Sequence, residues 1–331
     1  MSRFVRPNPA VHNGASQSRD ERPRRGGESG GALIGGRGVG RCEDGTDELR
    51  SRRSLARATK QSRGRFILGT AGWSYPDWVG PFYPEGTAER DFLARYAEHF
   101  SAVEVDSTHY RIPTVRMTEN WARVTPDGFM FSPKMFGEVT HEKFLTDCDD
   151  LVEQYLNAMA PLGAKLGPIV LQFPYFKKDT GVTLDSLLGR LLPFLDKLPD
   201  DVRFAVEFRN KTFLKPPLLS ALRERRVGLV LVDHIWMPAP AEYERIAGVF
   251  TTDFVPIRLL GDRYGIEKIT KTWDKVVVDQ GGRINAWAEL VRRALATKLD
   301  VQVFVNNHYA GHAPRTALDL AEAVEGESAT A

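Results

Sequence analysis

The sequence predicts an α/β fold, a TIM (β/α)8 barrel preceded by a disordered N-terminal segment. Three observations point there. Short β-rich runs alternate with amphipathic helical stretches, the pattern of parallel βαβ units. Eight such runs fall between residues 64 and 331, and eight βα units in about 250 residues is the size of this barrel. The chain before residue 64 has a different composition altogether. A doubly wound open sheet is the second reading, but "GTAGWSYPDW" after the first run lacks the Gly-rich turn usual there.

Residues 1–63 hold fourteen Lys and Arg against seven Asp and Glu, whereas the whole chain carries a net charge of only +2. Stretches such as "RDERPRRGGESGG" and "GGRGVGRCEDG" contain no aromatic residue. They bury too little apolar surface to offset the entropy of ordering, so disorder is expected. The glycines from Gly35 to Gly40 lack the preceding strand and following helix of a phosphate loop. A basic arm that touches nucleic acid and a start site assigned too far upstream are the other readings of this segment. The remaining residues, 64–331, are expected to form one barrel domain. No apolar run approaches the ~18 residues of a membrane helix, and no apolar leader opens the chain. Cys42 and Cys148 offer neither a disulfide framework nor metal-ligand spacing. The expectation is a cytoplasmic protein with no membrane partner; its oligomeric state is open.

The strand candidates, in order, are "FILGT" (66–70), "AVEVD" (102–106), "FMFSPK" (129–134), "IVLQF" (169–173), "FAVEF" (204–208), "GLVLVD" (228–233), "VPIRLL" (255–260) and "VQVFVN" (301–306). Between them, "AERDFLARYAEHF" places Phe92, Leu93, Tyr96 and Phe100 on one helical face. "DDLVEQYLNAMAPL" does the same with Leu151, Tyr155, Met159 and Leu162. "LDSLLGRLLPFLDKL", "PPLLSALRERR", "INAWAELVRRALATKL" and "PRTALDLAEAV" follow the same period.

In a barrel, alternate residues of each strand face the helices and the lumen. With the apolar set turned outward, Glu104 and Asp106 point inward from the second strand, Ser132 and Lys134 from the third, and Gln172 from the fourth. Glu207 and Arg209 follow from the fifth, Asp233 from the end of the sixth, Arg258 from the seventh, and Gln302, Asn306 and His308 from the eighth. One choice of face thus gathers nearly every strand-borne charge at the strand C-termini, where the active sites of this fold lie. Individually these residues have plainer readings. Glu207 with Arg209 reads equally as a structural ion pair, and Asp106 or Asp233 as a helix cap. Together they exceed what stability requires, because buried charge is costly.

The inward carboxylates Glu104, Asp106, Glu207 and Asp233 are nearly balanced by Lys134, Arg209 and Arg258, with His308 nearby. Such balance suits a site that grips an anionic substrate while a carboxylate or His moves protons. Glu104, Asp106, Lys134, Glu207, Asp233 and His308 are the catalytic candidates. Trp73, Tyr75, Tyr110, Arg111, Gln172, Arg209, Arg258, Asn306 and Gly311 are the substrate-binding candidates. Trp73 and Tyr75 belong to an aromatic cluster with Trp78, Phe82 and Tyr83. It reads equally as a stacking wall or as the anchor of a rim loop. An anion is expected between Arg258, Asn306, His308 and the free N–H groups around Gly311, ahead of a helix that starts near Pro314. No metal or cofactor is expected; a divalent metal, in a phosphodiesterase or isomerase, is the alternative, and a non-catalytic ligand or nucleic-acid binder is a third reading.

The segments "GTAGWSYPDWVGPFYP", "FSAVEVDSTHYRIP", "FMFSPKMFGEVTH", "GPIVLQFPYF", "AVEFRN", "LVLVDH", "IRLLG" and "VFVNNHYAGHAPRTA" occur in this order. Together they resemble the YecE-like family, also called domain of unknown function 72, over about residues 66–320. The resemblance implies a TIM barrel and leaves the reaction open. Against the family pattern, Asp106 and His109 replace Asn and Phe, Leu260 stands in place of a His, and Asp233 is followed by His234 rather than Ser. The residues after Gly261, including "TKTWDKVVVDQGG", look longer than usual and are expected to form an extra ribbon over the mouth.

Overall fold

A computed structural model describes residues 64–326. The expectations for residues 1–63, Cys42 among them, lie outside the described residues.

All eight β-rich runs become strands. They are β1 (Phe66–Ala71), β2 (Ala102–Val105), β3 (Met130–Pro133), β4 (Ile169–Gln172), β5 (Phe204–Glu207), β6 (Gly228–Leu229) with β7 (Leu231–Asp233), β8 (Phe254–Leu259) and β9 (Asp300–Val305). The sixth run is thus two short pieces on either side of Val230. Every strand pairing is parallel. The fold is therefore mixed α/β, as the alternation of strands and helices demands. The ladders make a six-stranded sheet, β3-β2-β1-β9-β8-β7, and a three-stranded sheet, β4-β5-β6. Between β3 and β4 the isolated bridges Phe131–Leu166 and Lys134–Val170 stand in place of a ladder.

The amphipathic stretches form helices over Asp149–Met159, Leu184–Leu195, Pro216–Glu224, Gly281–Ala296 and Ala313–Gly326. Their ends follow local chemistry. Thr183 and Ser186 exchange side-chain and backbone hydrogen bonds at the start of Leu184–Leu195. Pro216 opens its helix at a position that needs no N–H. "AERDFLARYAEHF" is shorter than expected, with an α-helix over Phe92–Tyr96 only. Residues 270–280 carry no strand, so the expected ribbon is instead an irregular strap with bends. Among the described residues, no helix is long and apolar enough to cross a membrane.

Register settles which face each strand residue shares, because residues paired across a parallel ladder point the same way. Val103, Leu171, Val206, Ile257 and Val303 fall on the helix side, and Glu104, Gln172, Glu207, Arg258 and Gln302 on the other. Asp233 departs from the expectation. It pairs with Leu259, so it faces the helices, not the interior. There its carboxylate accepts from Trp287 Nε1 at 2.6 Å, from the Tyr309 hydroxyl at 2.8 Å and from the Arg283 guanidinium. Asp233 is thus a structural acceptor that ties β7 to the helix Gly281–Ala296. Asp233→Ala would strand the buried Trp287 N–H and Tyr309 O–H. The expected loss is about 3–5 kcal/mol in urea unfolding.

Candidate functional site

Arg258 is the centre of the interior cluster. Its Nη1 donates to Glu207 Oε2 at 2.6 Å, its Nη2 to Glu104 Oε1 at 2.6 Å, and its Nε meets the second Glu104 oxygen. All three side chains are at most 3% exposed. The cluster extends outward from them. Arg209 Nε donates to Glu207 Oε1 at 2.7 Å. Lys134 Nζ lies 2.7 Å from Asp106 Oδ1 and donates to Gln172 Oε1 at 2.9 Å. Asp106, about 32% exposed, and Arg209, 18%, are the ionic members most open to solvent. The structure thus brings together Glu104, Asp106, Lys134, Gln172, Glu207, Arg209 and Arg258, at or just beyond the C-terminal ends of β2, β3, β4, β5 and β8.

One guanidinium and two further cations do not serve three carboxylates alike. Burial disfavours the ionised form of Glu207, but Arg209, Arg258 and Lys134 outweigh it and hold the carboxyl down, at about 2. Burial likewise opposes ionisation of Asp106, and Lys134 and Arg258 overcome it. For Glu104 burial wins over Arg258, and the nearby Asp106 charge adds to it, so its carboxyl is raised. The two neighbouring carboxyls are thus driven in opposite directions, Glu104 upward and Asp106 downward.

Other candidates lie elsewhere. Tyr75 comes to the mouth. Burial, then Asp106 and Glu104, raise its phenol, which donates to the Ala71 carbonyl at 2.8 Å. Trp73 instead packs edge-on against Trp121 at 5.5 Å and belongs to the loop's packing, not to a stacking wall. Tyr110 is 80% exposed and Arg111 is exposed beside it. His308 is held on both ring nitrogens, by Asn306 Oδ1 at 2.7 Å and Glu267 Oε1 at 3.1 Å, with the Trp273 ring 4.6 Å away.

The anion site expected around Gly311 is overturned by its own hydrogen bonds. Gly311 N–H donates to the Asn307 carbonyl at 2.8 Å, and Ala313 N–H to Asn307 Oδ1 at 2.9 Å. Arg258 is occupied by Glu104 and Glu207. Gly311 has φ +112°, and a Cβ there would lie 2.5 Å from the Lys275 carbonyl. The glycine therefore admits the strap rather than a ligand.

Sequence reasoning missed His141. It follows β3 on a π-helical turn, Glu138–Glu142, and its ring packs edge-on to His109 at 4.8 Å. Burial, then His109, Lys134 and Arg209, hold the imidazole down at about 4. A Cβ on Gly137 would come within 2.8 Å of the His109 ring, so glycine is needed there. No periodicity marks a loop histidine; its position just after a strand end was the only signal. Among the described residues, no group of three or more His, Cys, Asp or Glu is arranged to hold a metal ion.

The chain is an α/β protein whose ionic side chains gather at the C-terminal ends of parallel strands, the place where such folds usually carry their ligand sites. The family described as "Protein of unknown function DUF72" matches residues 67–331, and the chain belongs to it. The chain is 32% identical over 171 residues to the UPF0759 protein YecE of Escherichia coli (strain K12), covering 50% of this chain and 58% of that protein. It is 28% identical over 159 residues to the UPF0759 protein YunF of Bacillus subtilis (strain 168), covering 45% and 52%. The matched stretch thus spans little more than half of each relative. Crystal structures of DUF72 family proteins share the fold. That from Enterococcus faecalis V583 has a TM-score of 0.60 at 21% identity, covering 78% of this chain and 95% of that one. That from Thermotoga maritima MSB8 has a TM-score of 0.56 at 24% identity, covering 79% and 99%.

The depressed and raised carboxyls make opposite demands on pH. Glu207, depressed from 4.5 to about 2, contributes stability that is complete above 4.5 and lost as pH falls toward 2. Glu104, raised from 4.5 to about 7, keeps a proton that the unfolded chain releases, so stability falls as pH rises across that range. Urea midpoints against pH should therefore flatten on the neutral side in Glu104→Gln and on the acid side in Glu207→Gln. Arg258→Ala leaves two buried carboxylates without their partner and should cost about 3–5 kcal/mol. An unchanged midpoint would remove Arg258 from the centre of the structure.

Proposed function

We propose that the protein is an enzyme that acts on a small anionic substrate, phosphorylated or carboxylated, by acid–base chemistry at the mouth formed by the strand C-termini. The observation that carries this reading is the convergence of six ionic side chains on one inward face, with Asp106 and Arg209 left accessible. Arg209 and Lys134 are the cations that meet the substrate. Arg258 is a positioning residue that fixes Glu104 and Glu207. When the raised Glu104 carboxyl holds its proton, three cations face two carboxylate charges, and the surplus positive charge favours an anion. Ionised Asp106 takes a proton from the substrate, and Glu104 holds the proton that the pair returns. Paired carboxyls whose environments drive them apart are suited to this division of roles.

We infer as well that the two sheets close into one TIM barrel around this cluster. The bridges Phe131–Leu166 and Lys134–Val170 support closure between β3 and β4. The single residue between β6 and β7 supports it on the other side.

Inorganic phosphate should raise the melting temperature more at pH 6 than at pH 8, and Arg209→Gln should weaken phosphate binding about ten-fold while the fold is kept. On a panel of phosphorylated and carboxylated small molecules, Asp106→Asn and Glu104→Gln should each lower turnover by about 10²–10⁴. If phosphate and acetate stabilise neither the parent nor its variants, or if turnover survives both substitutions, the reading fails.

A further inference from the structure

Beside the mouth runs a groove of about 600 Å³, lined by Thr140, His141, Phe144, Tyr175, Phe176 and Lys177. Its size is that of a small-molecule site. None of the charged cluster lines it, but its wall neighbours the cluster, since Lys134 and Arg209 both act electrostatically on His141. His141 is part of its wall and packs on His109 at 4.8 Å, and His109 in turn lies against the Met135 carbonyl next to Lys134. The loop that carries Tyr175 and Phe176 is clamped to Asn210, the neighbour of Arg209. Phe176 N–H donates to Asn210 Oδ1 at 2.9 Å, and Asn210 Nδ2 donates to the Phe176 carbonyl at 2.9 Å.

The wall is aromatic and held in place. Phe144 sits in the left-handed region at φ 46°, with the Arg190 guanidinium 4.9 Å from its ring and Phe176 5.4 Å away. Tyr175 and Trp236 lean on one another at 5.2 Å, and each is nearly half exposed. Two hydroxyls on the wall are engaged within the chain. Thr140 Oγ1 meets His141 Nδ1 at 2.9 Å, and Thr180 Oγ1 donates to the Lys177 carbonyl at 2.7 Å. The wall offers ring faces, with the exposed Lys177 and Asp179 beside them. Against the ring faces a polyhydroxylated ligand loses water hydrogen bonds, whereas a flat ring gains aromatic contact.

We propose that this groove takes the aromatic ring of a substrate whose anionic end meets Arg209 and Lys134, which makes the substrate an aryl anion: an aryl phosphate or aryl carboxylate. The proposal rests on the anion-handling mouth described above and adds the class of group attached to the anion. His141 forms the edge between the two halves of the site. Burial and the neighbouring cations keep it neutral at physiological pH, so it meets the ring as an imidazole.

The test is calorimetric titration of the full chain with inorganic phosphate, phenyl phosphate and glycerol phosphate. Phenyl phosphate should bind about ten-fold tighter than inorganic phosphate, and glycerol phosphate no tighter than inorganic phosphate. Tyr175→Ala, at an exposed position, should bring phenyl phosphate to the level of inorganic phosphate and leave phosphate itself unchanged. Arg209→Gln should weaken both alike. Phenyl phosphate no tighter than phosphate overturns the ring assignment and leaves the anion mouth standing. An advantage that survives both Tyr175→Ala and Phe144→Ala also overturns it, as does a preference for glycerol phosphate. If neither phosphate nor phenyl phosphate binds the parent, the mouth and the groove fall together.

Discussion

The Arg258 guanidinium is the constraint on which the interior depends. It reaches Glu104 on β2 and Glu207 on β5, and so joins the six-stranded sheet to the three-stranded one through a single buried cation. An ion pair of this kind adds little net stability over a well-packed apolar replacement. Its consequence is positional. A one-residue slip of β2, β5 or β8 would send the charged side chain to the helix face and leave its partners buried without it. The outer members of the cluster then follow by parity. Asp106 stands two residues beyond Glu104, and Arg209 two beyond Glu207. Their place at the mouth is inherited from the buried pairs.

The same parity explains how much was legible in the sequence. Period-two alternation located all eight strand runs and put Glu104, Gln172, Glu207 and Arg258 on one face, as the register has them. It also contained the correction for Asp233, since Leu229, Leu231 and Asp233 share one parity. A charge at a strand end was read as inward because no acceptor role was visible. The donors that claim it, Trp287, Tyr309 and Arg283, lie fifty residues or more away in the chain. Loop residues carry no period at all. Trp73 was therefore open to either reading and His141 was not singled out, while Asn306, His308 and Gly311 were read as an anion site; ring contacts and hydrogen bonds decided each.

The segment after β3 shows where conformational cost is concentrated. A π-helical turn is followed by Phe144, Leu145 and Asp147, all left-handed without being glycine. Each such residue costs on the order of 1–3 kcal/mol and persists only where its surroundings over-determine it. Here the surroundings are the burial of Leu145 and the Arg190 guanidinium over the Phe144 ring. Local strain of this kind gathers at sites rather than in scaffolds. The segment that carries it is also the one that presents His141 beside the cations.

Lys134 has two roles at once. Its backbone forms the Lys134–Val170 bridge, one of the two isolated bridges between the sheets. Its N–H donates to Val105, and its carbonyl accepts the Thr108 and Tyr155 hydroxyls. Its ammonium joins Asp106 to Gln172 across the same junction. A thinly bonded junction is where a sheet breathes most readily. Lys134 therefore holds this junction twice, once through its backbone and once through its ammonium, so that its replacement would loosen both.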